Sequence, residues 1–210
     1  AWPQYFGNGL QYGYFKTPLV YVRPVRAFGG TLACADGGVC AVGDTGPGGG
    51  KVFYVHASGT FACGATLSST CKYLEAAPTS GTAAWTDATY EWSGITNVAI
   101  GVAAQGTAIG TGYKNTEAIV TQNAGVVTGA AALTRGYRGP NNLSDWYLPA
   151  AEELQALYNQ RTTVGASTDG YRSSSETDAT TASARNFYLG DPNSRSKNLS
   201  FNVRPVRAFG

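Results

Sequence analysis

The run Lys51-Val52-Phe53-Tyr54-Val55 is almost wholly apolar and follows Gly46-Pro47-Gly48-Gly49-Gly50, the pattern of a tight turn leading into a strand. Around Trp85 and Trp92 the spacing is irregular and aromatic, which predicts a loop-rich layer with buried indoles. Asn115 can cap a helix running through Glu117, Ala118 and Ile119 to about Gln122. A second short helical stretch is expected over 129–135. The most regular helical pattern spans 149–161, with Pro149 in the first turn and Glu152 and Glu153 near the positive N-terminal end. Its Leu154, Leu157 and Tyr158 fall at i, i+3 and i+4 and predict the buried face. Trp146, Leu148, Leu154 and Leu157 are expected to share one core with Trp85 or Trp92 beside them. After Ser173 the chain turns to polar-aromatic strands and ends on Val203 to Phe209. A few helices among many short strands and long loops make the fold class α+β.

An internal repeat cuts across this order. Val22-Arg23-Pro24-Val25-Arg26-Ala27-Phe28-Gly29 recurs as Val203-Arg204-Pro205-Val206-Arg207-Ala208-Phe209-Gly210, 181 residues later. Carried backwards, the alignment pairs Ala1 with Ala182, Phe6 with Phe187, Gly9 with Gly190 and Lys16 with Lys197; 12 of 29 positions match and 17 differ. Residues 1–29 therefore read as the terminal strands of a preceding copy, 30–47 as a Gly-rich linker stapled by a disulfide, and 48–210 as a complete domain. The first segment carries eight aromatics, Trp2, Tyr5, Phe6, Tyr12, Tyr14, Phe15, Tyr21 and Phe28, in strand-like alternation. Alone it would be an adhesive strand edge, so it is expected to pair with a neighbouring unit.

Composition narrows the function classes. Of 210 residues 13% are charged and 43% hydrophobic, the reverse of a disordered chain. A net charge of +2 is too small for the electrostatic footprint of a nucleic-acid or anionic-membrane binder. The most apolar stretch, 98–110, is too short to span a bilayer. The cysteines form two close pairs, Cys34/Cys40 and Cys63/Cys71, without the spacing of a zinc site and with His56 the sole histidine. Short-loop disulfides are the better reading, and they place the protein outside the cytoplasm, secreted or at the cell surface. A start at Ala1 with no methionine anywhere fits a processed product or an excised fragment.

The stretch Gly139-Pro140-Asn141-Asn142-Leu143-Ser144-Asp145-Trp146-Tyr147-Leu148-Pro149-Ala150-Ala151-Glu152-Glu153-Leu154 resembles a bacterial extracellular family, the one that includes the C-terminal domain of the Legionella collagen-like adhesin. Gly43 to Gly50, Tyr73-Leu74-Glu75-Ala76-Ala77-Pro78 and the terminal Val-Arg-Pro-Val-Arg-Ala-Phe fit the same family. The resemblance covers roughly 43–210 and, for its last piece, 1–29. It implies a fold similar to C-type lectins and to formylglycine-generating enzymes. Variable proteins of diversity-generating retroelements end in that fold too, with their mutated codons in the last strands.

In such systems template adenines are randomised, and an Asn codon then never yields Lys, Glu, Gln, Met or Trp. None of the 17 differing residues in the second copy belongs to that set. Trp2 opposite Ser183 cannot arise in this way, and Arg172 stands where the family usually has Trp. Relaxed divergence between old repeats is the alternative origin; a reverse transcriptase gene beside the coding sequence would separate the two.

This reading makes Arg185, Asn186, Tyr188, Asp191, Asn193, Arg195, Asn198, Ser200 and Asn202 the candidate ligand-binding residues, large amphipathic or adaptable hydrogen-bonding types like those of paratopes. The expected function is extracellular ligand binding or adhesion, toward a protein or glycan, in a tandem or head-to-tail array. The alternative is a structural subunit of an extracellular filament built by strand addition between copies.

Other chemistry weighs less. The segment from Gly46 to Lys51 lacks the Ser/Thr of a phosphate loop and reads as a turn. Arg204 and Arg207 could grip an anion, but recurring where their surroundings vary they suit structural hydrogen bonding. Asp44, Asp87, Asp145 and Glu176 are conceivable calcium ligands in a lectin-like fold, without the DxDxDG run or lectin sugar motifs; no cofactor is expected. No nucleophile with a base emerges, and an enzyme is not expected.

Overall fold

The computed structural model describes residues 32–210, together with Gly7, Gly9 and Gly13. The chain divides into Ala1–Thr31 and Leu32–Gly210, and the second unit is described here. Its strands are β1 (Lys51–Val55), β2 (Phe61–Cys63), β3 (Ser69–Cys71), β4 (Tyr73–Ala76), β5 (Thr89–Tyr90), β6 (Gly170–Glu176), β7 (Thr181–Asn186), β8 (Pro192–Ser196), β9 (Phe201–Asn202) and β10 (Val206–Phe209). Its helices are α1 (Gly112–Gln122), α2 (Ala130–Gly136) and α3 (Ala151–Asn159). The class is α+β.

Three sheets organise it. β4 lies between β1 and β10, antiparallel to both, so the first and last strands of the body share one neighbour. Tyr147 extends that sheet by exchanging two backbone hydrogen bonds of 2.9 Å with Val206. β2 and β3 form a separate hairpin clamped by the Cys63–Cys71 disulfide. The largest sheet has the order β5-β9-β6-β7-β8, with β8 at its edge.

Tyr171 to Glu176 are buried without a break, although six of the seven residues of β6 are polar or glycine. Such a strand is tolerable because most of its polar groups find partners. The Ser173 carbonyl accepts from Trp92 Nε1 (3.0 Å), Ser175 Oγ donates to the Gly106 carbonyl (2.7 Å), and Ala151 N donates to Ser175 Oγ (3.0 Å).

α1 starts earlier than its sequence signal suggests. Asn115 is no cap: it is fully buried within the helix, and its amide exchanges hydrogen bonds with the Gly106 backbone (3.2 and 2.6 Å). The buried face Gly112, Asn115, Thr116 and Ile119 keeps helical spacing with small and polar residues, so hydrophobicity alone does not reveal the start.

α3 occupies the middle of the expected 149–161 stretch, and Pro149 precedes the N-cap Ala150 rather than lying in the first turn. Leu154 and Leu157 are buried and Tyr158 half-buried. Glu153 turns inward. Its Oε2 accepts from Ala150 N (2.7 Å) and its Oε1 from Gly110 N (2.8 Å) and the Tyr147 hydroxyl (3.1 Å). Burial outweighs these donors and pushes its carboxyl up to about 7.

The expected single core is in fact divided. Leu154 and Leu157 pack with Phe53, Leu74, Tyr147 and Phe187, whereas Leu148 packs with Trp92, Ile119 and Val203 in a second cluster. Trp146 is buried edge-on to Tyr137, and Trp85 is half-buried with its Nε1 on the Val203 carbonyl at 2.7 Å.

The segment read as a linker packs onto the body. Cys34 and Cys40, joined as a disulfide, form a small cluster with Val52 and Tyr73. The glycine turn beyond it wraps the buried Glu75 carboxylate, which accepts from Gly48 N (2.8 Å) and Gly50 N (3.1 Å). A Cβ on Gly48 would lie 2.6 Å from the Trp146 ring, so only glycine lets the backbone come this close. The loop does cradle an anion, and the anion is the protein's own.

Candidate functional site: the last strands and their turns

Seven of the 12 positions shared by the two copies are buried in the second: Ala182, Phe187, Lys197, Val203, Arg204, Pro205 and Val206. Of the 17 that differ, only Ala184, Arg185 and Asn202 are buried. What the copies keep faces inward, and what they change lies mostly at the surface.

The sequence-predicted residues divide along this line. Tyr188 is 75% exposed at the turn between β7 and β8, and Leu189 beside it 63% exposed. Asp191, Arg195, Asn198 and Ser200 are exposed, and Asn193 is half-buried. Asn186 has a local role: its Oδ1 accepts from Tyr188 N (2.8 Å) and Leu189 N (3.0 Å), folding the turn that presents them.

Two of the nine expected residues belong inside instead. Arg185 donates to the Gly190 carbonyl and lies 5.8 Å from the centre of the Tyr158 ring; burial lowers its pKa. Asn202 donates to Ser167 Oγ (3.1 Å) and Asp169 Oδ2 (3.2 Å). Their residue types suit a binding face, but their strand positions point them at neighbouring elements. Exposed Leu189 and Leu199 are additions that a search for polar or aromatic types passes over.

Buried cations hold this surface from beneath. Lys197 Nζ sits 2.6 Å from Glu176 Oε1 and 4.5 Å over the Trp92 ring. The Arg172 guanidinium donates to the carbonyls of Arg195 (3.2 Å), Ser196 (2.9 Å) and Leu199 (2.7 Å) and stacks 4.4 Å over Phe201. With no carboxylate beside it, burial lowers its pKa to about 10. Arg172 thus gathers β8 and the following turn through their backbone carbonyls, and the side chain it stacks on, Phe201, lies beyond them in β9. In the turn before β7, Asp178 accepts from Thr180 N and Thr181 N, both at 2.8 Å, which holds its carboxyl down at about 2.

Among the described residues no strand lies beside the outer edge of β8. Pro192 at its start and Arg195 within it are residues that discourage edge-to-edge pairing.

The terminal arginines have structural partners. Arg204 forks onto Asp87 and donates to the Val164 carbonyl (2.9 Å); Arg207 bridges Asp145 Oδ1 (2.6 Å) and Glu75 Oε1 (2.8 Å). Of the conceivable calcium ligands, Asp87 and Asp145 are thereby engaged, Glu176 holds Lys197, and Asp44 caps Ala41 N at 2.8 Å. Among the described residues no group of three His, Cys, Asp or Glu is placed to hold a metal ion. His56 Nδ1 is 2.9 Å from the Tyr54 hydroxyl.

Away from this face, a recess of about 270 Å³ is lined by the Cys63–Cys71 disulfide, Ser69, Tyr113, Asp145 and Tyr147. Asp145 there is engaged by Arg207, and the Tyr113 hydroxyl accepts from Arg135 (2.8 Å). Among the described residues no helix is long and apolar enough to cross a membrane. No family model matches the sequence, and no curated protein matches it.

Proposed function

We propose that the chain is an extracellular or cell-surface binding domain of lectin-like fold, related to the bacterial adhesin family that its sequence resembles. It presents an exchangeable set of side chains on β8 and the turns flanking it, and its ligand is a protein or a glycan. The observation that carries this reading is the sorting of differences between the copies: exposed positions changed, buried positions kept. Drift on any free surface would also spare the core. What favours display is the manner of support. Arg172 holds backbone carbonyls of the segment, and Lys197 is held by Glu176, so side chains above them can change without loosening the scaffold. Tyr188 and Leu189 add a projecting apolar pair of the sort that anchors interfaces.

The purified chain, screened against glycans and extracellular proteins, is expected to select a ligand. Replacing Tyr188, Leu189 and Arg195 together with alanine should weaken that binding at least tenfold with the melting midpoint unchanged. Full binding by the triple variant would overturn the assignment of the face.

A further inference from the structure

Residues 182–210 are held by a short list of side chains, each with a defined seat. Phe187 packs on Tyr158 and Tyr171, at ring distances of 5.4 and 4.2 Å. Lys197, Arg204 and Arg207 are matched to Glu176, Asp87 and Glu75. Gly190 turns the chain at φ 86, where a Cβ would meet the Tyr158 hydroxyl at 2.6 Å.

Every residue on that list recurs in the first 29, as Phe6, Lys16, Arg23, Arg26 and Gly9, although 17 positions around them have changed. Gly9 also has a left-handed backbone, at φ 70. In these three seats a matched carboxylate offsets the cost of burying each cation. Within 32–210 the three carboxylates, Glu75, Asp87 and Glu176, already hold the cations of the second copy.

We infer that residues 1–29 are a second completing segment, and that they fit the seat formed by Glu75, Asp87, Glu176 and Tyr158 on the body of another copy. Docking there is strand addition: the segment supplies the counterparts of β7 to β10. Both segments carry the same anchors, so exchanging one for the other preserves those contacts, and concentration decides the outcome. The contact is head-to-tail and independent of what the exposed face binds.

Grafting residues 4–29 over 185–210 tests the fit while leaving Ala184 in place within β7. The grafted chain should form both disulfides and unfold in one transition within about 10 °C of the parent. In it, changing the lysine contributed by Lys16 to Met should lower the midpoint as far as Lys197→Met lowers the parent's. A graft without a cooperative transition, or one indifferent to that lysine, would overturn the proposal. Sedimentation tests the partner. The parent chain should associate increasingly with concentration, and Lys16→Glu with Arg23→Glu should return it to monomer. A parent monomeric throughout would leave the segment on its own body or on none, and association that survives both changes would belong to another surface; either result overturns docking between copies.

Discussion

Lys197 Nζ lies 2.6 Å from Glu176 Oε1, and neither side chain exposes any surface. Glu176 also accepts from Ile100 N (2.9 Å) and Gly101 N (2.6 Å), so one carboxylate ties the turn after β8 to the loop before α1. Lys197→Met should cost about 3–5 kcal/mol in urea unfolding, because it strands a buried charge. Adding Glu176→Gln should cost less than the sum of the two single changes, the mark of a coupled pair.

Leu154→Ala should cost about 2–5 kcal/mol, as a buried large-to-small change does. Denaturant melts showing less than about 1 kcal/mol would mean that α3 does not pack through this face.

Stability should fall as pH rises from about 4.5 to 7. Glu153 has its pKa raised from 4.5 to about 7 by burial, so the folded state binds more protons than the unfolded across that interval. Its contribution is fully present below the unfolded value and lost as pH climbs through the folded one. Glu75, also raised by burial, acts with the same sign. Asp178, held low, acts oppositely, but only at more acid pH. Melting midpoints across pH 4–8 should show the fall, and Glu153→Gln should flatten it.

Tyr188→Ala and Arg195→Ala should leave stability within about 0.5 kcal/mol, as exposed sites do. Arg185→Ala should cost more than about 1 kcal/mol, since it removes a buried guanidinium from the Gly190 carbonyl. Equal effects at all three positions would erase the division between face and support.

Intact mass under non-reducing conditions should show no free thiol, with Cys34 joined to Cys40 and Cys63 to Cys71. Changing Cys63 and Cys71 together to alanine should cost about 2 kcal/mol, low in the usual range because the closed loop is short.

The elements legible in the sequence are those whose signal is local. β1 coincides with its apolar run, α3 lies within its leucine spacing, and the disulfides follow from the cysteine pairs. β6 and the start of α1 were illegible because polar residues are buried there and satisfied by distant backbone, as Asn115 is by Gly106. The face was half legible. The differing positions marked a mostly exposed segment, but residue type could not tell exposed Tyr188 from buried Arg185, a matter of which neighbour each position meets. The buried ion pair left a trace in Lys197, one of the few shared residues among many changed, while Glu176 looked like a cation ligand and is one, for an ammonium group.

The placement of β4 between β1 and β10 also fixes how the body bears tension. β1 and β10 each run antiparallel to β4 and so point the same way, yet a pull on the two ends of the body draws the start of β1 and the end of β10 in opposite directions. Both ladders are then loaded along the strands, and their hydrogen bonds must yield together rather than open one at a time from an end. A body built this way resists being drawn out by its own ends, because neither outer strand of the three can leave without its whole ladder to β4 giving way.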